Sequence, residues 1–81
     1  MQDLTQQGID ALKAGDRAAA RRLLAAAVDR DQKDATAWLW LAAALNNDAD
    51  RATCLRQVLR LDPENKAARR GLAEILERQR S

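Results

Sequence analysis

Residues 35–45 read ATAWLWLAAAL, and this stretch decides the fold class. Every residue in it except Thr36 is apolar, and it consists mainly of good helix formers with no glycine or proline. The run is shorter than the roughly 18–20 apolar residues that a membrane-spanning helix needs. A helix that is apolar almost all round has to contact other elements on more than one side. The stretch therefore predicts a helix packed between other helices.

Turn signals and amphipathic periodicity divide the rest of the chain into four more helices. Gly15 and Asp16 separate the first helix from the second, and Asp34 is a predicted N-cap of the third. We expect Asp48 to cap the fourth helix and Pro63 to prevent its continuation. The predicted helices span residues 3–14, 17–30, 35–45, 49–61 and 66–78. The predicted fold class is all-α, with five helices arranged as antiparallel helix-turn-helix repeats.

The helices also repeat. The first helix overlays the third at an offset of 34 residues, which places Gly8 on Ala42. The second overlays the fourth, and the third overlays the fifth, at an offset of 31, which places Leu24 on Leu55. This difference predicts that the turn between the third and fourth helices is three residues shorter than the turn between the first and second. We therefore expect one domain over 1–81, consisting of repeat one (1–34), repeat two (35–65) and a capping helix (66–80).

The repeated pattern resembles that of the tetratricopeptide repeat family, W-x2-L-G-x2-Y followed by A-x3-F and P. Repeat two carries the matching residues Trp38, Leu41, Ala42, Leu45, Leu55, Val58 and Pro63, and repeat one carries Leu4, Gly8, Ala20, Leu24 and Ala27. The chain departs from the pattern at Gln7, Gln32 and Arg51, where the family has leucine, proline and alanine. The resemblance implies stacked helical hairpins, an α-solenoid fragment, that bind other proteins.

Composition excludes several kinds of chemistry. The chain has 14 Lys and Arg against 12 Asp and Glu, a net charge of +2, and no histidine. Without histidine there is no Ser-His or Cys-His pair and no ordinary metal cluster, and no glycine-rich loop offers a phosphate site. We therefore expect no enzymatic activity, no cofactor and no metal.

The N-terminus has no charged segment followed by an apolar one, so we expect no signal peptide and a cytoplasmic location. The Ala- and Arg-rich, Lys-poor usage suggests a bacterial source.

Cys54 is the only cysteine, which fits a reducing compartment. Because it overlays Leu23 in the second helix, we expect it to be a small buried apolar residue. The alternative is a reactive thiol whose pKa is lowered by Arg51 nearby.

The resemblance also implies a binding surface, since family members usually hold partners in a concave groove lined by the first helix of each repeat. The residues carried over to that groove are Thr5, Ile9, Leu12 and Lys13, then Thr36, Leu39, Trp40, Ala43 and Asn47, then Arg70, Glu74 and Glu77. Trp38 and Trp40 point about 200° apart on one helix, so they cannot face the same core. Trp38 matches the packing tryptophan of the family. Trp40 either packs within the chain at the groove edge or, with Leu39 and Ile9, forms the apolar centre of the site.

Three functions follow as candidates. The first is an adaptor that binds a peptide or helix of another protein in the groove. The second is a structural subunit of a larger assembly or a homo-oligomer, since fewer than about three repeats usually need an additional contact. The third, an electrostatic adaptor for an acidic partner or nucleic acid, rests on the many arginines, which otherwise form a solvated, ion-paired surface. The lack of Phe and Tyr disfavours binding to single-stranded nucleic acid, and no membrane partner is expected.

Overall fold

The computed structural model describes residues 3–80, and it contains five α-helices and no β-strand within that range. The helices are α1 Leu4–Lys13, α2 Arg17–Arg30, α3 Ala35–Ala44, α4 Asp48–Leu61 and α5 Lys66–Arg80. The predicted all-α class is confirmed, and each predicted boundary lies within two residues of the observed one. In the described part of the chain, no helix combines the length and the apolar character that a bilayer span requires. The expected absence of a signal peptide concerns the segment that begins at Met1 and Gln2, and these two residues lie outside the described ones.

A short polar side chain begins each of the first four helices. Asp3, Asp16 and Asp34 accept hydrogen bonds from the backbone N–H three residues later, and Asn47 accepts from the N–H groups of Ala49 and Asp50. Such caps satisfy N–H groups that have no partner inside the helix.

The predicted cap of α4 was wrong by one residue. Asn47, not Asp48, is the N-cap, and Asp48 is already the first helical residue. The carboxylate of Asp48 is instead paired with Arg78 of α5, with Oδ1 3.0 Å from Nη2 and Oδ2 3.1 Å from Nε. Amide and carboxylate side chains cap about equally well, so the composition of the turn did not distinguish the two positions.

The predicted shortening of the second turn is not found either. The α1–α2 and α3–α4 linkers, 14–16 and 45–47, have the same length, and α1, α3 and α5 begin at residues 4, 35 and 66, an interval of 31. A shift of three residues turns an amphipathic face by only about 60°. The side-chain pattern of α1 therefore fits α3 acceptably at both 31 and 34 residues.

Adjacent helices pack as two hairpins followed by α5. Helix α1 packs on α2 and α3 on α4, α2 contacts α3, α5 covers α4, and α1 also contacts α3 directly. The molecule is elongated, with extents of 43 × 25 × 18 Å. Its continuous core is rich in alanine and includes the completely buried side chains of Leu24, Val58 and Ile75.

Candidate partner-binding surface

The exposed strip of α3 runs through residues spaced four and three apart. Thr36 and Ala43 are exposed, and Leu39 and Trp40 lie on either side of them, partly buried against the core. This spacing places Thr36, Trp40 and Ala43 on one face of the helix. The structure therefore brings four of the predicted site residues together on α3.

Two basic side chains reach this strip from the first hairpin. Nζ of Lys13 at the end of α1 lies 6.0 Å from the centroid of the Trp40 ring, at the outer limit of a cation–π contact. The Nη1 group of Arg17 at the start of α2 donates a hydrogen bond of 3.1 Å to the carbonyl oxygen of Ala43. The Trp40 ring is thus flanked by positive charge on the side of the α1–α2 turn.

Two other predicted residues have structural roles. The Ile9 side chain is only 8% exposed, so it belongs to the interior and offers almost no surface to a partner. The Asn47 side chain is engaged in capping α4 through contacts of 2.8 and 3.2 Å. Sequence periodicity placed Ile9 on the correct helix but did not reveal how far the neighbouring helices cover it.

Thr5 and Asp34 join α1 to the start of α3. Oγ1 of Thr5 donates to Oδ2 of Asp34 at 2.8 Å, while Oδ1 of the same carboxylate accepts from the Ala37 N–H at 3.1 Å. The hydroxyl of Thr5 is therefore occupied within the chain.

A pocket of about 350 Å³ lies nearby between α1 and α2. Its walls include Leu4, Ala27 and the carboxylates of Asp3 and Asp34, which cap α1 and α3.

The predicted residues on α5 belong to a different helix from this strip. Arg70, Glu74 and Glu77 are exposed on the helix that packs on α4, whereas Lys13 and Trp40 belong to α1 and α3. The end of α5 is held to the start of α4 by the Arg78–Asp48 pair. The hydrogen bond from Arg78 lowers the pKa of Asp48 below its ordinary value.

Trp38 lines a second pocket, which the sequence analysis did not predict. The indole N–H donates to the carbonyl oxygen of Gln32 at 2.9 Å, and the ring contacts the core from a partly buried position. The ring also bounds a pocket of about 170 Å³ whose other walls are Thr53, Arg56, Gln57 and Arg60 of α4. The helical spacing of these four residues was visible in the sequence, but nothing there showed that Trp38 lies beside them.

Cys54 is buried, as its apolar neighbours predicted. Burial is the main cause that raises its thiol pKa to about 11, and the negative charge of Asp50 adds to the effect. The alternative of a thiol activated by Arg51 is therefore wrong. The Arg51 guanidinium lies 3.8 Å from the Asp48 carboxylate instead. Within residues 3–80, no group of three or more Cys, Asp and Glu side chains could hold a metal ion.

Comparison with known proteins adds one finding. A family model described as tetratricopeptide repeat matches residues 5–52, from α1 to the first turn of α4, and again residues 46–81, which contain α4 and α5. No curated protein matches the chain significantly. The two matched segments overlap, and together they include all five helices.

Proposed function

Because the chain belongs to the tetratricopeptide repeat family, whose repeats form protein–protein interaction modules, we propose that it is an adaptor for a partner protein. It would bind a peptide or helix of that partner on the α1–α3 surface, which consists of Lys13 of α1 and Thr36, Leu39, Trp40 and Ala43 of α3. Proteins of this family are generally scaffolds without catalytic activity. The free thiol of Cys54 suits a cytoplasmic location.

The observation that supports this surface best is the environment of Trp40. Its ring is only partly buried, it lies beside the exposed residues Thr36 and Ala43, and Lys13 lies above it. Tryptophan is enriched among the residues that contribute most to binding, because a large rigid ring loses much apolar surface to water when it is covered. A partner segment that packs on Trp40 and Leu39 would complete the burial of both.

The test is the substitution Trp40→Ala. A partner is first isolated with the wild-type protein from cells of its source, and its affinity is then measured by isothermal titration calorimetry. We expect the dissociation constant to rise about 30-fold, which corresponds to roughly 2 kcal/mol for the loss of a central aromatic contact.

Leu76→Ala is the matched control, because it removes exposed apolar surface from α5, which packs on α4. Circular dichroism melts show whether each variant folds. A Trp40→Ala protein that folds normally and retains wild-type affinity would show that the partner does not dock on Trp40.

A second candidate function is a structural subunit that associates with itself or with a larger assembly. It is favoured by Leu76, which is 40% exposed, and by its partly buried neighbour Leu72 on α5. Association through this end of the stack would make the melting temperature rise with protein concentration. A melting temperature that stays constant from micromolar to millimolar protein would count against it.

A further inference from the structure

The pocket beside Trp38 contains positive charge that the chain itself does not neutralise. Arg56 and Arg60 are exposed and four residues apart, so they project from the same side of α4. Within residues 3–80 neither forms an ion pair, since the ion pairs there involve Arg51, Arg78 and Arg80. Two like charges at this spacing destabilise a helix slightly. Both charges are therefore available to an anion from outside the chain.

The other walls of the pocket determine which chemical groups an anion would contact there. The N–H of Trp38 is already bound to Gln32, so the indole offers its flat apolar surface rather than a donor. The hydroxyl of Thr53 donates to the carbonyl oxygen of Ala49 at 3.1 Å, which leaves its oxygen as an acceptor only. The donors that face the pocket are therefore the two guanidinium groups and the amide of Gln57. A volume of about 170 Å³ suits one side chain and not a whole peptide.

We propose that this pocket is a second binding site, which takes the carboxylate side chain of an acidic segment in a partner protein. The methylene groups of a glutamate or aspartate would pack on the Trp38 ring. The carboxylate would accept paired hydrogen bonds from Arg56 or Arg60, the geometry that guanidinium groups favour. Because Trp38 and Trp40 point about 200° apart on α3, the site is separate from the α1–α3 surface and does not depend on it.

An acidic peptide fits the pocket better than a nucleic acid does. A single strand needs several aromatic rings on which successive bases can stack. Trp38 is the only ring in this pocket, and the chain has no Phe or Tyr. The pocket is bounded by two arginines and not by a long basic stripe that could follow a phosphate backbone.

The experiment uses a hexaglutamate peptide, with hexaglutamine as the uncharged probe and a 12-nucleotide single-stranded DNA as the alternative anion. Binding is followed by the NMR signals of the two indole N–H groups, which Trp40→Phe assigns. We expect hexaglutamate to shift the Trp38 signal in a saturable way at 0.15 M salt and hexaglutamine to leave it unchanged. The double substitution R56Q/R60Q should weaken hexaglutamate binding at least about 10-fold.

The double substitution R21Q/R22Q is the matched control, because it removes the same charge from exposed residues of α2. This variant should bind hexaglutamate within about twofold of wild type. Equal weakening in both variants would overturn the proposal, because binding would then follow net charge alone. The absence of a saturable Trp38 shift, or tighter binding of the DNA through Arg56 and Arg60, would overturn it as well.

Discussion

At the scale of single residues, close helix packing depends on glycine, which has no Cβ atom. A Cβ added to Gly8 would lie 2.5 Å from Cγ of Leu24, which is completely buried. A Cβ at Gly71 would lie 3.1 Å from Cδ1 of Leu55. Glycine at position 8 lets α1 approach α2 more closely than a residue with a Cβ would allow, and at Gly71 a Cβ would require the Leu55 side chain to move by a few tenths of an ångström. Gly15 has a different role, because its φ of +88° turns the chain between α1 and α2.

The buried Cys54 thiol leads to a prediction about pH. Since burial raises its pKa to about 11, the thiol should stay protonated, and slow to react with iodoacetamide, at pH 8 to 9. The folded protein holds this proton more tightly than the unfolded chain, so the resulting stabilisation is complete below about pH 9 and is lost as the pH rises towards 11. Mass spectrometry of labelled protein with and without 6 M urea measures the difference. Equal labelling rates at pH 8 would contradict it.

At the scale of helices, capping explains where each element begins. The capping positions of α1 and α3, Asp3 and Asp34, are 31 residues apart, as are those of α2 and α4, Asp16 and Asn47. Asn65 continues the series before α5, where its side chain accepts a hydrogen bond from the Ala68 N–H at 2.9 Å. The repeat is therefore defined more clearly by its caps than by its apolar residues.

Asp34 should be the most sensitive of these caps, because it also accepts a hydrogen bond from Thr5 on another helix. We expect Asp34→Ala to lower the free energy of unfolding by about 1–2 kcal/mol, as caps of this kind do. Asp34→Asn retains an acceptor oxygen and should cost clearly less. Urea denaturation monitored by circular dichroism measures the two variants, with Asp29→Ala as an exposed control on α2. Equal effects of Asp34→Ala and Asp34→Asn would show that the cap is not what stabilises α3.

At the scale of the whole molecule, stability depends on contacts between neighbouring helices. Within residues 3–80, the main contacts of the 43 Å long stack run between neighbouring helices, with α5 packed on α4 and α1 packed on α2 and α3. The stability of such an array is approximately a sum over adjacent pairs. The loss of packing at one end should therefore affect that end first.

Ile75→Ala tests this dependence, because Ile75 of α5 is completely buried. We expect a loss of about 2–5 kcal/mol, the usual cost of removing a buried Ile side chain, which is a large fraction of the stability of a chain this small. Hydrogen exchange should show the loss mainly in α4 and α5. Leu76→Ala, beside it but 40% exposed, should have little effect. A uniform loss of protection from α1 to α5 would show that the stack unfolds as one unit.

The sequence by itself determined the five helices and their approximate bounds. Caps, Pro63 and the apolar periodicity act within a few residues of one another, so they can be recognised without knowing the rest of the structure. The same local geometry placed Trp38 and Trp40 on different faces of α3.

The apolar periodicity left the register of the repeat open, and only the tertiary structure decided the contents of each surface. Helical periodicity changes little over a shift of about one turn, so it could not distinguish an interval of 31 from one of 34. The burial of Ile9, the Lys13–Trp40 contact and the pocket that Trp38 shares with α4 depend on helices that meet across distant parts of the chain. Such contacts depend on the angle and distance at which whole helices pack, which no short stretch of residues encodes.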